Sequence, residues 1–352
     1  MPSLFEPAQF GDLKLANRLV MAPLTRARAT ADRRVPLPFV AEYYRQRASA
    51  GLILTEAVVI DPLAAGYAST PGIYSPEQID AWKTVTDAVH AEGGTIVMQL
   101  WHVGRVSDPE LLSGALPVAP SAIAPEGHVS LLRPMRPYVT PRALDIQEIP
   151  AIVAAYRRAA ENAKQAGFDG VEIHAANGYL IDQFLQDKSN HRTDAYGGPV
   201  ENRARFLLEV TDAVISVWGA GRVGVHMAPR GDSYDMGDTN PAHTFGYAAE
   251  ALGKRGIAFL FLREYVGPDS LAPQLKKAFG GALIANEKFT RDSAQQALDA
   301  GWADAVSFGK DYIATPDLVA RFKSGAPLNA QDPSSFYGAG EKGYTDYPVL
   351  TA

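Results

Sequence analysis

The chain has 352 residues and no cysteine. Disulfides, thiolate metal ligands and cysteine nucleophiles are excluded, and the composition fits a reducing compartment. Basic charge is not in excess: the formal net charge is −6, which keeps the chain soluble and argues against nucleic acid as a partner. No apolar run approaches the length that crosses a bilayer, so no membrane partner is expected. The opening residues, Met1-Pro2-Ser3-Leu4-Phe5-Glu6-Pro7, lack a basic-then-apolar signal pattern, which makes the cytoplasm the expected location. No Gly-x-Gly-x-x-Gly follows any apolar run, so the fingerprint of an open, doubly wound dinucleotide-binding sheet is missing.

What the chain does contain is repetition. Hydrophobic residues make up 47% and charged residues 20%, enough for a large core. Eight short apolar runs, at 18–24, 51–60, 95–101, 170–175, 223–228, 257–262, 282–286 and 305–309, read as strands buried on both faces, as a parallel sheet requires. Helical patterns stand between many of them, at 76–91 after the N-cap Ser75, 146–166, 200–218, 290–300 and 316–323. Strands alternating with helices through right-handed crossovers close at eight units. The expected fold is α/β: one (β/α)8 TIM barrel spanning 1–352 as a single domain. The connection after the third strand, 103–145, is long and rich in Pro, Ser and Gly. A loop of that length is usually functional, and its segments 117–121 and 137–140 are expected to pair as a hairpin lid over the barrel mouth. The tail, 326–352, carries Tyr337, Tyr344 and Tyr347 and is expected to pack back on the barrel.

Barrels place chemistry at the carboxyl ends of their strands. Those ends carry Pro23-Leu24-Thr25, Glu56-Ala57, Gln99 with Trp101, His174, His226, Arg263, Asn286 and Gly309-Lys310. Such a ring of small, hydrogen-bonding and cationic groups suits a flat heteroaromatic with a carbonyl edge and a phosphate tail. Gly309 permits close backbone approach and Lys310 supplies charge, although a solvated surface lysine reads the same way. The densest stretch is Val171-Glu172-Ile173-His174-Ala175-Ala176-Asn177-Gly178-Tyr179. Its alternation marks a strand, and its end brings together two neutral donors and a phenol, able to bind one oxygen and deliver one proton. The plainer reading is a strand end whose polar groups satisfy backbone.

That stretch resembles the active-site strand of the old yellow enzyme family of FMN-dependent ene-reductases, and most closely its bacterial N-ethylmaleimide and pentaerythritol tetranitrate reductase branch. The resemblance runs on through Asp182-Gln183-Phe184-Leu185, Tyr196-Gly197-Gly198 and Glu201-Asn202-Arg203. It extends from Met21-Ala22-Pro23-Leu24-Thr25-Arg26 to Gly343-Tyr344-Thr345-Asp346-Tyr347-Pro348. It implies bound FMN, with NADPH or NADH as reductant, and electrophilic alkenes as small-molecule substrates: α,β-unsaturated carbonyls, maleimides and nitroalkenes. By resemblance, Pro23 and Leu24 back the flavin ring and Thr25 faces its carbonyl edge. Ala57 and Gln99 contact its pyrimidine side, and Asn286, Phe308, Gly309 and Lys310 complete the cofactor set. His174 and Asn177 bind the substrate oxygen, Tyr179 gives the proton, and Tyr67, Trp101, Arg142 and Tyr337 shape the substrate side. Two positions depart from the family pattern: His226 and Lys310 stand where arginines are usual, beside the ring and at the phosphate, and Arg230 is a candidate to replace the lost charge. The rivals are a flavin-free phosphate-binding barrel lyase, which needs a lysine on an inner strand, and a vestigial FMN-binding barrel without turnover. The protein is expected to be a monomer or homodimer.

Overall fold

Eight parallel strands hydrogen-bond in sequence order, and the eighth pairs with the first to close a barrel. They are Leu19–Met21, Leu52–Val59, Ile96–Trp101, Gly170–His174, Val223–Met227, Phe259–Arg263, Ala282–Asn286 and Ala305–Phe308. The computed structural model describes residues 2–338 and 340–350, so Ala339 and the last two residues of the tail lie outside the description. The first strand is shorter than its apolar run because the ladder stops at Ala22, whose N–H still reaches Phe308. Pro23 has no N–H to continue it.

Alternate residues of each strand point into the barrel or out to the helices. One core, containing Ile53, Met98, Val171, Ile173, Val225 and Leu260, fills the space between strands and helices. A second, with Leu52, Leu54, Val97, Phe259 and Ile284, lies inside the barrel. An antiparallel hairpin, Ala8–Phe10 with Leu13–Leu15, adds Phe10, Leu13 and Leu15 to it. Gly224 shows how tight this interior is: a Cβ there would sit 2.1 Å from the ring of Phe259. The polar layer above therefore rests on a close-packed floor.

Helix Pro76–Ala91 begins as its signals predict, with Ser75 and Gln78 forming a reciprocal capping box. The segment 200–218 divides into Val200–Arg203 and Arg205–Trp218. Arg203 there sends its guanidinium to Leu185 O, Gly198 O and Thr244. Helices Leu180–Leu185, Pro241–Lys254 and Ala272–Phe279 were not among the helices expected from the sequence.

The 103–145 excursion corrects one expectation. Segments 117–121 and 137–140 do not form a hairpin; Val118–Ala119 instead pairs in parallel with Arg142–Ala143. The first segment is held instead by Arg192, which donates to Pro120 O, and by His191 N–H, which donates to Ser121 Oγ. The chain folds back between them at an antiparallel His128–Pro137 bridge. The tail is clamped by buried arginines. Arg26 donates to Phe336 O at 3.0 Å and Gly343 O at 2.8 Å, while Arg28 donates to Phe336 O at 2.9 Å. Arg47 holds Tyr312 O and Ile313 O, both at 2.7 Å, ahead of the tail, and reaches Tyr344 O in the tail at 3.4 Å. The rings of Tyr43 and Tyr344 stack at 4.0 Å beside these guanidiniums. Among the described residues, no helix is long and apolar enough to cross a membrane, and no cluster of three His, Asp or Glu is placed to hold a metal.

Candidate active site

The register of the strands builds the site in two layers. Gln99 on the third strand pairs with Glu172 on the fourth, and one step up His174 pairs with His226 on the fifth, which pairs with Phe261 on the sixth. Because alternate residues share a face, Glu172 and His174 both point inward. The His174 and His226 rings consequently stack at 4.9 Å and 8°, and Phe261 tilts against His226 at 4.4 Å.

Beyond His174 the chain turns sharply. Asn177 has φ 58° and Gly178 φ 80°, and the carboxyl of the buried Asp182 accepts the Gly178 N–H at 2.9 Å. Asparagine tolerates the left-handed region better than most residues. The turn delivers Tyr179 edge-on to His174 and to Trp101, both at 5.0 Å. Arg263 Nη1 donates to Asn177 Oδ1 at 2.9 Å, which leaves the Asn177 NH2 group free to donate elsewhere.

These groups line a cavity of about 500 Å³ at the carboxyl ends of the strands, well within the range of small-molecule sites. The structure brings Pro23, Leu24, Thr25, Ala57 and Gln99 to its wall. Trp101, His174, Asn177, Tyr179 and His226 also line it, as do Asn286, Phe308, Gly309, Lys310 and Tyr337. Tyr67 lines an adjoining cavity of about 460 Å³ that shares Thr25, Tyr179 and Tyr337 with the first and is roofed by Val129, Leu131 and Met135 of the excursion.

Two expectations fail. Arg142 is not brought to the mouth: it lies exposed, with Glu148 holding its guanidinium at 2.6 and 2.8 Å. Arg230 does not replace the missing charge, because it lines a separate cavity, where Glu264 takes it at 2.7 Å, and Asp269 pairs with it as well. The guanidinium that does reach the main cavity is Arg263, beside Glu287 at 3.3 Å. The sequence marked Arg263 as a strand end without assigning it a role. Phe261 and Ser307 also line the site; their inward positions follow from period-2 alternation on strands already located.

Burial sets the charge of the interior. It lowers His174 to about 3, with Arg263 adding to the effect, and lowers His226 well below the usual histidine range, with His174 and Arg263 adding. Both imidazoles are neutral at physiological pH. Glu172, fully buried, is pushed up to about 8 by burial, against the hydrogen bond from Gln99 at 2.6 Å. Gln99 Nε2 also lies 3.1 Å from His226 Nδ1, so with Gln99 donating, His226 carries its proton on Nε2. Burial likewise raises Tyr179 and Tyr67 well above an ordinary phenol.

Do these residues fit the flavin that the resemblance implies? Trp101 Nε1, His174 Nδ1 and His226 Nε2 are buried without a hydrogen-bond partner, each on a residue of the cavity wall. The Trp101 and His226 donors and the His174 ring nitrogen, left unmatched by protein, are what a ligand rich in carbonyl and ring-nitrogen groups would satisfy. At Gly309 a Cβ would come 2.9 Å from Leu24 Cδ1, so the backbone there forms a close wall opposite Leu24. Lys310, exposed at the cavity's edge, suits an anionic tail. The residues fit the group.

Comparison with known proteins agrees with this geometry. A sequence model of the NADH:flavin oxidoreductase / NADH oxidase family matches residues 3–329. The chain is 45% identical over 359 residues to a probable flavin mononucleotide-dependent alkene reductase of Leishmania infantum, covering 99% of this chain and 97% of the relative. It is 43% identical over 361 residues to 12-oxophytodienoate reductase 1 of Oryza sativa subsp. japonica, covering 99% and 93%. Among solved structures, morphinone reductase in complex with tetrahydroNAD superposes with a TM-score of 0.96 at 50% identity, covering 100% of this chain and 98% of the other. The old yellow enzyme homologue of Zymomonas mobilis superposes equally well, at 0.96 and 47% identity, covering 99% and 100%.

Proposed function

This chain belongs to the old yellow enzyme family of NADH:flavin oxidoreductases, and on that premise we propose that it is an FMN-dependent ene-reductase. It takes reducing equivalents from NADPH or NADH and reduces the activated C=C bonds of α,β-unsaturated carbonyls, maleimides and nitroalkenes. The observation that carries this reading is a pair of neutral donors facing a proton-holding phenol. His174 is kept uncharged by burial. Asn177 has its oxygen engaged by Arg263, which presents its NH2 group. Tyr179 stands edge-on to His174.

Pro23, Leu24, Thr25, Ala57, Gln99, His226, Asn286, Phe308, Gly309 and Lys310 would hold FMN, which supplies the hydride chemistry when bound. His174 and Asn177 polarise the alkene by donating to the oxygen of its activating group, and neither gives up a proton in doing so. Tyr179, whose burial discourages the phenolate, keeps its proton until negative charge develops on the α-carbon and then delivers it there. Trp101, Tyr67 and Tyr337 bound the space in which the substrate lies.

A lyase using a lysine nucleophile is not favoured, since the lysines on the cavity wall, Lys288 and Lys310, both stand beyond their strands and neither is inside the barrel. The expected setting is the cytoplasm, with the chain acting as a monomer or homodimer. Purified protein is expected to show flavin absorbance and to oxidise NADPH when cyclohexenone or N-ethylmaleimide is added. A colourless protein overturns the cofactor assignment. A yellow protein inert toward both acceptors, with either nicotinamide, leaves a flavin-binding barrel without turnover.

A further inference from the structure

On the ene-reductase reading, Tyr179 loses a proton at every turnover and must regain it with its half-buried ring packed among Trp101, His174 and Tyr234. The structure offers a route. Tyr179 Oη lies 2.9 Å from Tyr67 Oη, and Tyr67 Oη lies 2.5 Å from Tyr234 Oη. Tyr67 is 7% exposed and Tyr234 is half-buried, and both line the second cavity, as Tyr179 also does. Three hydroxyls thus form one line, from Tyr179 on the wall of both cavities to Tyr234 on the wall of the second alone.

Tyr234 reaches that position at a conformational cost. Its backbone sits at φ 58°, ψ 37°, a region that residues with bulky side chains rarely occupy. The surroundings hold it there. Buried Arg105 donates to Tyr234 O at 2.9 Å, and Tyr138 packs edge-on against the ring at 6.0 Å. The turn that carries Asn177 and Tyr179 nests against the same loop. A Cβ on Gly178 would come 2.8 Å from Ser233 O and 3.2 Å from Tyr234 Cδ2. The positions of the proton donor and of Tyr234 are therefore fixed against each other.

We infer that Tyr234, acting through Tyr67, is the positioning residue that returns a proton to Tyr179 from solvent in the second cavity. As the Tyr179 O–H bond breaks and a C–H bond forms on the substrate, the Tyr67 proton moves to the Tyr179 oxygen. The Tyr234 proton moves to Tyr67, and solvent acid reprotonates Tyr234. One solvent proton is consumed and no electron moves along the chain. Each phenol can donate or accept, so the line can point inward throughout.

The test is stopped-flow oxidation of the pre-reduced holoenzyme by cyclohexenone and by a nitroalkene, whose nitronate can leave without a proton from the protein. Tyr234→Phe keeps the ring. It should slow the enone step by about tenfold, less than the roughly 10²-fold or more that the direct proton donor contributes, and the nitroalkene step by a clearly smaller factor. Tyr67→Phe should change the enone-to-nitroalkene ratio in the same direction. The double variant should be no slower toward the enone than the slower single one, because both cut one line. Equal slowing of the two substrates by Tyr234→Phe, or factors that multiply in the double variant, overturns the relay. A wild-type holoenzyme that reduces neither substrate overturns the ene-reductase reading beneath it, and the relay with it.

Discussion

Around the tail, Arg26, Arg28 and Arg47 are buried among backbone carbonyls and tyrosine rings. Inside the barrel, the fourth and fifth strands carry His174, His226 and Glu172, and no guanidinium touches these three among the described ion pairs. The clamp uses cations whose charge is permanent and most of whose donors meet carbonyls, Arg26 Nη1 being left without a partner, so it fixes geometry and its charge does not respond to pH. The barrel interior holds groups that burial keeps neutral. Near neutral pH, charge appears there when a ligand or a reaction demands it. The difference teaches that this chain separates the charges that shape the site from the groups that do its chemistry.

The largest effect should come from the interior. Tyr179→Phe should slow enone reduction by roughly 10²-fold or more, the usual range for a general acid, and slow nitroalkene reduction less; rapid mixing of reduced enzyme with each substrate measures both. Next is the clamp. Arg26→Met removes two charged hydrogen bonds to the tail and should cost about 3 kcal/mol in denaturant unfolding. It should also speed proteolytic cleavage near Tyr337. If it shifts the flavin potential as well, the two regions are not separate.

The third effect is a gain. Glu172 titrates near 8 when folded and near 4.3 when unfolded. Between those values the folded state holds a proton that the unfolded state has released, so stability falls as pH rises through the window, by about 1.4 kcal/mol per unit. Glu172→Gln removes that slope, and its Tm advantage over wild type should grow from pH 6 to pH 8. The smallest effect is electrical. His226→Arg should raise the flavin midpoint potential by a few tens of millivolts at alkaline pH, because a charged donor adds roughly 1 kcal/mol over a neutral one. It should also flatten the pH dependence of that potential. Superimposable potentiometric curves between about pH 6 and 9 would show that His226 does not govern the cofactor.

The barrel was legible because buried parallel strands read as continuous apolar runs and because closure at eight follows from the count. Residues that end those strands, such as Gln99, His174, His226 and Asn286, could be placed from topology alone, as the cavity wall shows. Groups carried by loops could not. Tyr234 depends on a contact with Arg105 from 129 residues away and on a left-handed backbone that its own sequence does not announce. Arg142 looked like a rim cation, yet its partner Glu148 is only six residues on. The expected lid hairpin failed for the same reason: His191 and Arg192, some seventy residues downstream, decide where the 117–121 segment lies. Helix Pro241–Lys254 was missed with its signal in view, since Asn240 caps it on His243 N–H and Pro241 opens it, but Gly246 and Gly253 obscure the pattern.

The clamp also has a consequence in time. Arg26 binds the Phe336 carbonyl across 310 residues of chain. At the usual pace of synthesis, about 5–20 residues per second, its partner emerges roughly 15 s to 1 min later. Throughout that wait the Arg26 guanidinium lacks its carbonyl partners in the tail. An apolar anchor would expose a sticky surface during those seconds, whereas guanidiniums stay hydrated until the carbonyls arrive. The interactions that lock the finished molecule therefore form late, and the wall holding Tyr337 over the site is among the last parts of the enzyme to close.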